Sequence, residues 1–238
     1  RGRRGAGEVG ETVYSVPKGS LPFWADRLGA AAEGLEAVHH FGEERLRFQT
    51  SDGEGFALAE IADDNRHGWT GNGIADDHAI RGFHGATMRL QDTGAMTELL
   101  TFMGYEKQDT IGNVSRFAVA DGTGANTIDL EKMPSAKHAS QGAGSVHHIA
   151  FAVENRAAQL EVRAALLDTG YQVTPVIDRD YFWAIYFRTP GGILFEVATN
   201  EPGFDRDEDI AHLGEALKLP KQPEDHRSLI ESHLQPLA

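Results

Sequence analysis

His84-Gly-Ala-Thr-Met-Arg-Leu90 and His148-Ile-Ala-Phe-Ala-Val153 are two versions of one element. Each opens on a histidine and continues in residues that suit a strand. A helix candidate follows each, 95–102 in the first case and 157–168 in the second. Both helices run into a Gly-Tyr pair, Gly104-Tyr105 and Gly170-Tyr171, where glycine suits a left-handed cap. Strand-like runs come next, at 114–120 and 127–130 in one copy and at 182–188 and 193–199 in the other. A third copy lies upstream: a strand at 10–16, a helix at 21–28, and strands at 45–50 and 56–61.

Each unit therefore reads as β-α-β-β-β. One such unit cannot bury both faces of its sheet, so the units are expected to pair. The predicted fold is α+β, with repeated β-α-β-β-β modules pairing into curved, partly open mixed sheets around a cavity, which the resemblance given below implies is a metal cleft. Three copies suit a pairwise architecture poorly, and four would close it. Residues 1–62 are expected to be one module of an N-terminal domain whose first module is missing. Segment 63–80 is polar and turn-rich and reads as a linker. Residues 81–201 form the expected metal-binding domain of two modules, and 202–238 a tail.

Composition narrows the function. The 238 residues carry a formal net charge of −14, which argues against a nucleic-acid partner. Arg1-Gly-Arg-Arg4 is too short to reverse that. No apolar run has the length of a membrane span and no signal-peptide pattern is present, so a cytoplasmic chain without membrane partners is expected. With no cysteine, thiolate chemistry and disulfides are excluded. Eleven histidines leave a histidine/carboxylate site as the available alternative.

The chemistry points to the last third of the chain. Glu196 sits inside Ile193-Leu-Phe-Glu-Val-Ala198, where a carboxylate between Phe195 and Val197 is costly unless something binds it. Histidine and glutamate on strands supply two ligands of a 2-His-1-carboxylate site. In a regular strand His148 shares a face with Ala150 and Ala152, and His147 points the other way. The plainer readings stay open: a hydrogen-bonded core histidine for His148 and an interior ion pair for Glu196. His39-His40, beside Glu43 and Glu44, reads as solvated, and Gly191-Gly192 as a tight turn.

His147-His148-Ile-Ala-Phe, Asp178-Arg179-Asp180-Tyr181-Phe, Tyr186-Phe-Arg-Thr-Pro-Gly-Gly-Ile-Leu-Phe-Glu196 and Glu201-Pro-Gly-Phe204 together resemble the vicinal-oxygen-chelate superfamily. Within it they are most similar to ring-cleaving extradiol dioxygenases of the hydroquinone-cleaving branch. That resemblance implies a divalent metal, Fe(II) or Mn(II), bound by His148 and Glu196. The third ligand it implies is either His84, as in the catechol-cleaving arrangement, or a residue of a first module that the chain lacks. It also implies that Tyr186 and His147 handle protons and that Arg179 stabilises a phenolate. A packed aromatic, a strand-end histidine and a surface ion pair are the respective alternatives. Expected partners are a dihydroxylated aromatic substrate, O₂ and further copies of the chain. A glyoxalase-type isomerase, an epoxide-opening transferase and an inactive metal-binding fragment are the rival functions.

Overall fold

The computed structural model describes residues 1–120, 122–221 and 223–235, so positions 222 and 236–238 of the expected tail lie outside it. Three β-α-β-β-β modules follow one another. The first comprises β1 (Glu8–Val16), α1 (Leu21–Leu28), β2 (Glu33–His40), β3 (Glu43–Gln49) and β4 (Gly55–Glu60). The second comprises β5 (Gly82–Leu90), α2 (Gly94–Phe102), β6 (Glu106–Ile111), β7 (Val114–Ala118) and β8 (Thr127–Lys132). The third comprises β9 (Ile149–Val153), α3 (Arg156–Asp168), β10 (Ile177–Asp178), β11 (Phe182–Arg188) and β12 (Leu194–Pro202). A short α4 (Arg227–His233) ends the described chain, and no described helix is long and apolar enough to cross a membrane.

The first two modules form one eight-stranded sheet in the order β2-β3-β4-β1-β5-β8-β7-β6, and the third forms a four-stranded sheet, β10-β11-β12-β9. By contacts the chain divides into two compact units, 1–149 with 188–194, and 150–187 with 195 onward. The units thus do not follow the expected boundary at 63–80. That segment joins two modules of one sheet, and it is packed rather than free. Ala79 is fully buried, Trp24 donates its indole N–H to the His78 carbonyl at 2.8 Å, and Arg66 pairs with Asp64 at 2.6 Å.

Alternation along the strands sorts the eight-stranded sheet into two faces. Leu46 and Leu58 turn to one side and pack with Val16 and Trp24, the buried residue of α1. Arg45 takes the opposite parity, with Glu43 and Arg47. The second module repeats the pattern. Phe117, Ile128 and Leu130 are buried apolar residues, and the intervening Arg116 and Asp129 pair across strands. In the third module α3 is capped by Asn155, whose side chain accepts from the Ala158 N–H. The helix is tied down by Gln159, whose fully buried amide donates to the carbonyls of Trp183 and Val197 at 2.7 and 2.8 Å. Gly104 and Gly170 follow their helices at φ +88° and +90°, as the Gly-Tyr pairs led one to expect.

Gly85, opposite Thr127, is a position where β5 and β8 leave no room for a side chain. A Cβ added there would meet the Thr127 side-chain oxygen at 2.2 Å and its carbonyl oxygen at 2.5 Å. Gly85→Ala is therefore expected to cost about 1–3 kcal/mol, as overpacking does, and to lower the urea midpoint with an unchanged m-value. An unshifted midpoint would show that the strands separate without penalty.

Candidate active site

Glu196 lies on β12 and is only 3 % exposed between the buried Phe195 and Val197. On β11 the Tyr186 hydroxyl, half-buried, is hydrogen-bonded to the Glu196 carboxylate. Arg179 approaches from the turn after β10, with its Nη2 donating to the Tyr186 oxygen at 3.3 Å and its guanidinium 5.5 Å from the ring centroid. The turn aims it there. Asp180 adopts φ +70° with its N–H on Asp178 Oδ1 at 2.8 Å, and its own carboxylate pairs with Arg206 at 3.0 Å. Burial raises the Tyr186 pKa, Arg179 opposes this, and the neighbouring Glu196 charge raises it further. The hydroxyl is therefore protonated at neutral pH and serves as a donor. The structure brings Arg179, Tyr186 and Glu196 into one chain of hydrogen bonds.

His147 and His148 depart from the alternating arrangement. Because β9 begins only at Ile149, both precede the strand, and their Nδ1 atoms lie 2.8 Å apart with the rings nearly perpendicular. One Nδ1 donates and the other accepts, so His147 fixes the orientation of the His148 ring. The strand that follows them, β9, is the sheet neighbour of β12. His147 also lines a cavity of about 320 Å³ with Glu8, His138, Gln141, Arg188 and Ile193. That volume is at the low end of small-ligand sites.

His84 has a different setting. It is buried on β5, and its Nε2 lies 2.9 Å from Glu43 Oε1. Glu43 also accepts from Arg116 Nη1 at 2.8 Å and pairs with the fully buried Arg45. Arg116 in turn grips Asp129 with two hydrogen bonds of 2.8 Å. His40 reaches the same carboxylate at 3.4 Å, so only His39 of that pair is solvated, beside Glu44. Burial alone would raise the Glu43 pKa, but the hydrogen bond from His84 and the charges of Arg45, His84 and Arg116 outweigh it and hold it at about 2. Asp129 likewise sits at about 2, burial being overcome by hydrogen bonds from Arg116 and His40. Sequence reasoning missed this network, although the alternation of Glu43, Arg45 and Arg47 along β3 is a readable sign of a charged sheet face.

The donor types suit a divalent metal, but the number falls short of a triad. Among the described residues no three His, Asp or Glu side chains stand close enough together to hold one ion.

Comparison with known proteins agrees with the module pattern. The model of the Glyoxalase/Bleomycin resistance protein/Dioxygenase superfamily matches residues 15–197. MhqO of Bacillus subtilis (strain 168), named as a ring-cleaving dioxygenase, is 40% identical over 98% of this chain and 74% of its own length. The chlorohydroquinone/hydroquinone 1,2-dioxygenase of Sphingobium indicum (strain UT26S) is 34% identical over 94% of this chain and 71% of its own. A crystal structure described as a dioxygenase from Bacillus subtilis subsp. subtilis str. 168 superposes with a TM-score of 0.93 at 40% identity, covering all of this chain and 76% of that one. Glyoxalase I from Zea mays shares the fold, with a TM-score of 0.57 at 13% identity over 84% of this chain and 70% of that one. The chain belongs to the glyoxalase/bleomycin resistance protein/dioxygenase superfamily and, within it, to the class of its ring-cleaving dioxygenases.

Proposed function

We propose that the protein opens the ring of a hydroquinone-like substrate by an extradiol-type reaction with O₂. The observation that carries this is the chain from Arg179, after β10, through Tyr186 on β11 to Glu196 on β12, set beside a relative named chlorohydroquinone/hydroquinone 1,2-dioxygenase. Fe(II), with Mn(II) as the alternative, is the proposed metal, and His148 and Glu196 are its proposed ligands. When bound, such a metal supplies open coordination positions for substrate and O₂. His84 is not carried into that set, because its Nε2 is committed to Glu43.

The residues have separable tasks. Arg179 places a fixed positive charge beside the tyrosine, where it favours a bound phenolate over the neutral phenol. Tyr186, protonated, holds a proton that it can give to a substrate oxygen when Glu196 no longer accepts it. His147 orients His148 through the Nδ1–Nδ1 hydrogen bond. The mostly apolar strands around Glu196 limit water at the reacting ring.

The test is oxygen consumption by the Fe(II)-treated chain with hydroquinone, with catechol in parallel. Uptake of one O₂ per ring opened, without hydrogen peroxide, is expected for hydroquinone. Peroxide release, or no uptake with either substrate, would overturn the proposal.

A further inference from the structure

Arg179 makes an unexpected choice of partner. Its neighbours in sequence, Asp178 and Asp180, are both carboxylates. Yet among the described residues its guanidinium pairs with neither of them, and donates instead to the Tyr186 hydroxyl at 3.3 Å. A hydrogen bond from a guanidinium to a carboxylate is about twice as strong as one between neutral groups. The preference for a phenol therefore needs a cause, and the cause lies in what holds the two aspartates.

Asp178 Oδ1 accepts the Asp180 N–H at 2.8 Å. Asp180 is engaged by Arg206, whose Nη1 lies 3.0 Å from Oδ1 and also donates to the Asp180 carbonyl. Arg206 closes a single 3-10 turn, Phe204–Arg206, and the residues around it are fastened to the same stretch. The Gly203 N–H donates to the Tyr181 carbonyl at 3.0 Å, and the Phe204 ring stacks on Tyr181 with centroids 5.2 Å apart. The Tyr181 hydroxyl donates to Asp207 Oδ2 at 3.2 Å. An ion pair between two freely moving side chains in solvent contributes little. Here the contacts at Gly203, Phe204 and Asp207 hold Arg206 beside Asp180, and both side chains are about two-thirds covered, with 36 % and 32 % exposed.

Given the proposed function, on which this step rests, we infer that Arg206 is a positioning residue. It engages the Asp180 carboxylate and so leaves the Arg179 guanidinium to Tyr186 and to the bound phenolate. Without Arg206, the uncompensated charge of Asp180 draws the adjacent guanidinium away from the tyrosine. The stretch from Gly203 to Asp207 thus reaches the site through two relays, Asp180 and then Arg179. Its effect is electrostatic as well as mechanical, since neutralising Asp180 removes the competitor altogether.

Two variants separate a competing charge from a simple brace: Arg206→Ala, and Arg206→Ala combined with Asp180→Asn, each verified as folded by circular dichroism. Asparagine removes the charge and tolerates the left-handed backbone of Asp180, at φ +70°. The first readout needs neither metal nor substrate. The nitrogen resonance of the Arg179 Nε–H group, assigned by its loss in Arg179→Gln, should shift in Arg206→Ala and return to its wild-type position in the double variant. The second readout is oxygen uptake by the Fe(II)-treated chain. Arg206→Ala should raise KM for hydroquinone about two- to fivefold with kcat little changed, the range open to a partly exposed ion pair. The double variant should restore KM. If Arg206 only braces the turn, the double variant lacks the same brace and stays as impaired as Arg206→Ala, which would overturn the inference. So would an Arg179 resonance that Arg206→Ala leaves in place. Because that resonance is read on the metal-free chain, it decides the role of Arg206 even where oxygen uptake fails and the proposed function fails with it.

Discussion

Arg116→Met is expected to lower the unfolding free energy by about 3–5 kcal/mol, the cost of stranding a buried charge rather than the net worth of the ion pair. Arg116 is 5 % exposed, holds both oxygens of Asp129, donates to Glu43, and lies 4.4 Å from the Phe41 ring centroid. Methionine fills comparable volume, so packing changes little while Asp129 loses its principal cation and Glu43 loses one of its two arginines. Replacing Arg116 and Asp129 together with apolar residues should recover part of the loss, because the uncompensated charge is then gone. Acid gives a second readout. Glu43 and Asp129 have folded-state pKa values of about 2 against ordinary values of 4.5 and 3.8. A depressed folded pKa stabilises the native state above the ordinary value, and that contribution drains away as pH falls towards the folded value. Wild-type stability should therefore decline below about pH 4.5 and continue to decline towards about pH 2. In Arg116→Met the decline should be shallower, since the chief partner that lowers the Asp129 pKa is missing. Urea denaturation at neutral pH and near the acid limit measures both. A variant within about 1 kcal/mol of wild type would mean that water, not Arg116, compensates those carboxylates.

This network also shows which parts of the molecule were legible in the sequence. Helices announced themselves through flanking residues: α1 matches the expected 21–28, and the glycines after α2 and α3 take the left-handed conformation. Strands with a buried apolar face, β1, β5 and β11, were also found, since burial imposes a period of two. The strands without such a face, β2 and β6, went unassigned. Both are exposed edge strands whose sequences, Glu33–His40 and Glu106–Ile111, answer to solvent and carry no alternation. The likeness of His84 to His148 revealed the module repeat, but equivalence in a repeat does not carry over to chemical role. What surrounds His84 is set by Glu43 and Arg116, residues distant in sequence that only the register of β3, β5 and β7 brings near. The contact between His147 and His148 was hidden for a smaller reason. A strand that starts one residue late cancels the alternation that would have separated the two rings.

Tyr186→Phe is expected to reduce turnover with hydroquinone by about 10²-fold or more, the usual worth of a positioned proton donor, while leaving KM within a few-fold of wild type. The substitution removes one oxygen and keeps the ring, so Arg179 retains its aromatic neighbour at 5.5 Å and packing on β11 is preserved. What disappears is the proton held between Arg179 and Glu196. A purely packing role for Tyr186 would leave turnover unchanged, and a substrate-binding role would raise KM instead. The pH profile separates these further. Burial, the largest influence on Tyr186, lifts its pKa above the ordinary value of 10.0 despite Arg179, so the hydroxyl stays protonated throughout the neutral and mildly alkaline range. Wild-type turnover should therefore hold up to that limit and fall beyond it. In Tyr186→Phe the residual activity should lack that alkaline limb, because the group that titrates is absent. Arg179→Gln makes the complementary change. With the guanidinium gone its pKa-lowering influence is lost, Tyr186 titrates still higher, and the alkaline limb should move up as KM for the phenolic substrate rises. An alkaline limb that survives Tyr186→Phe unaltered would assign proton handling to a different residue and leave Tyr186 as a wall of the site.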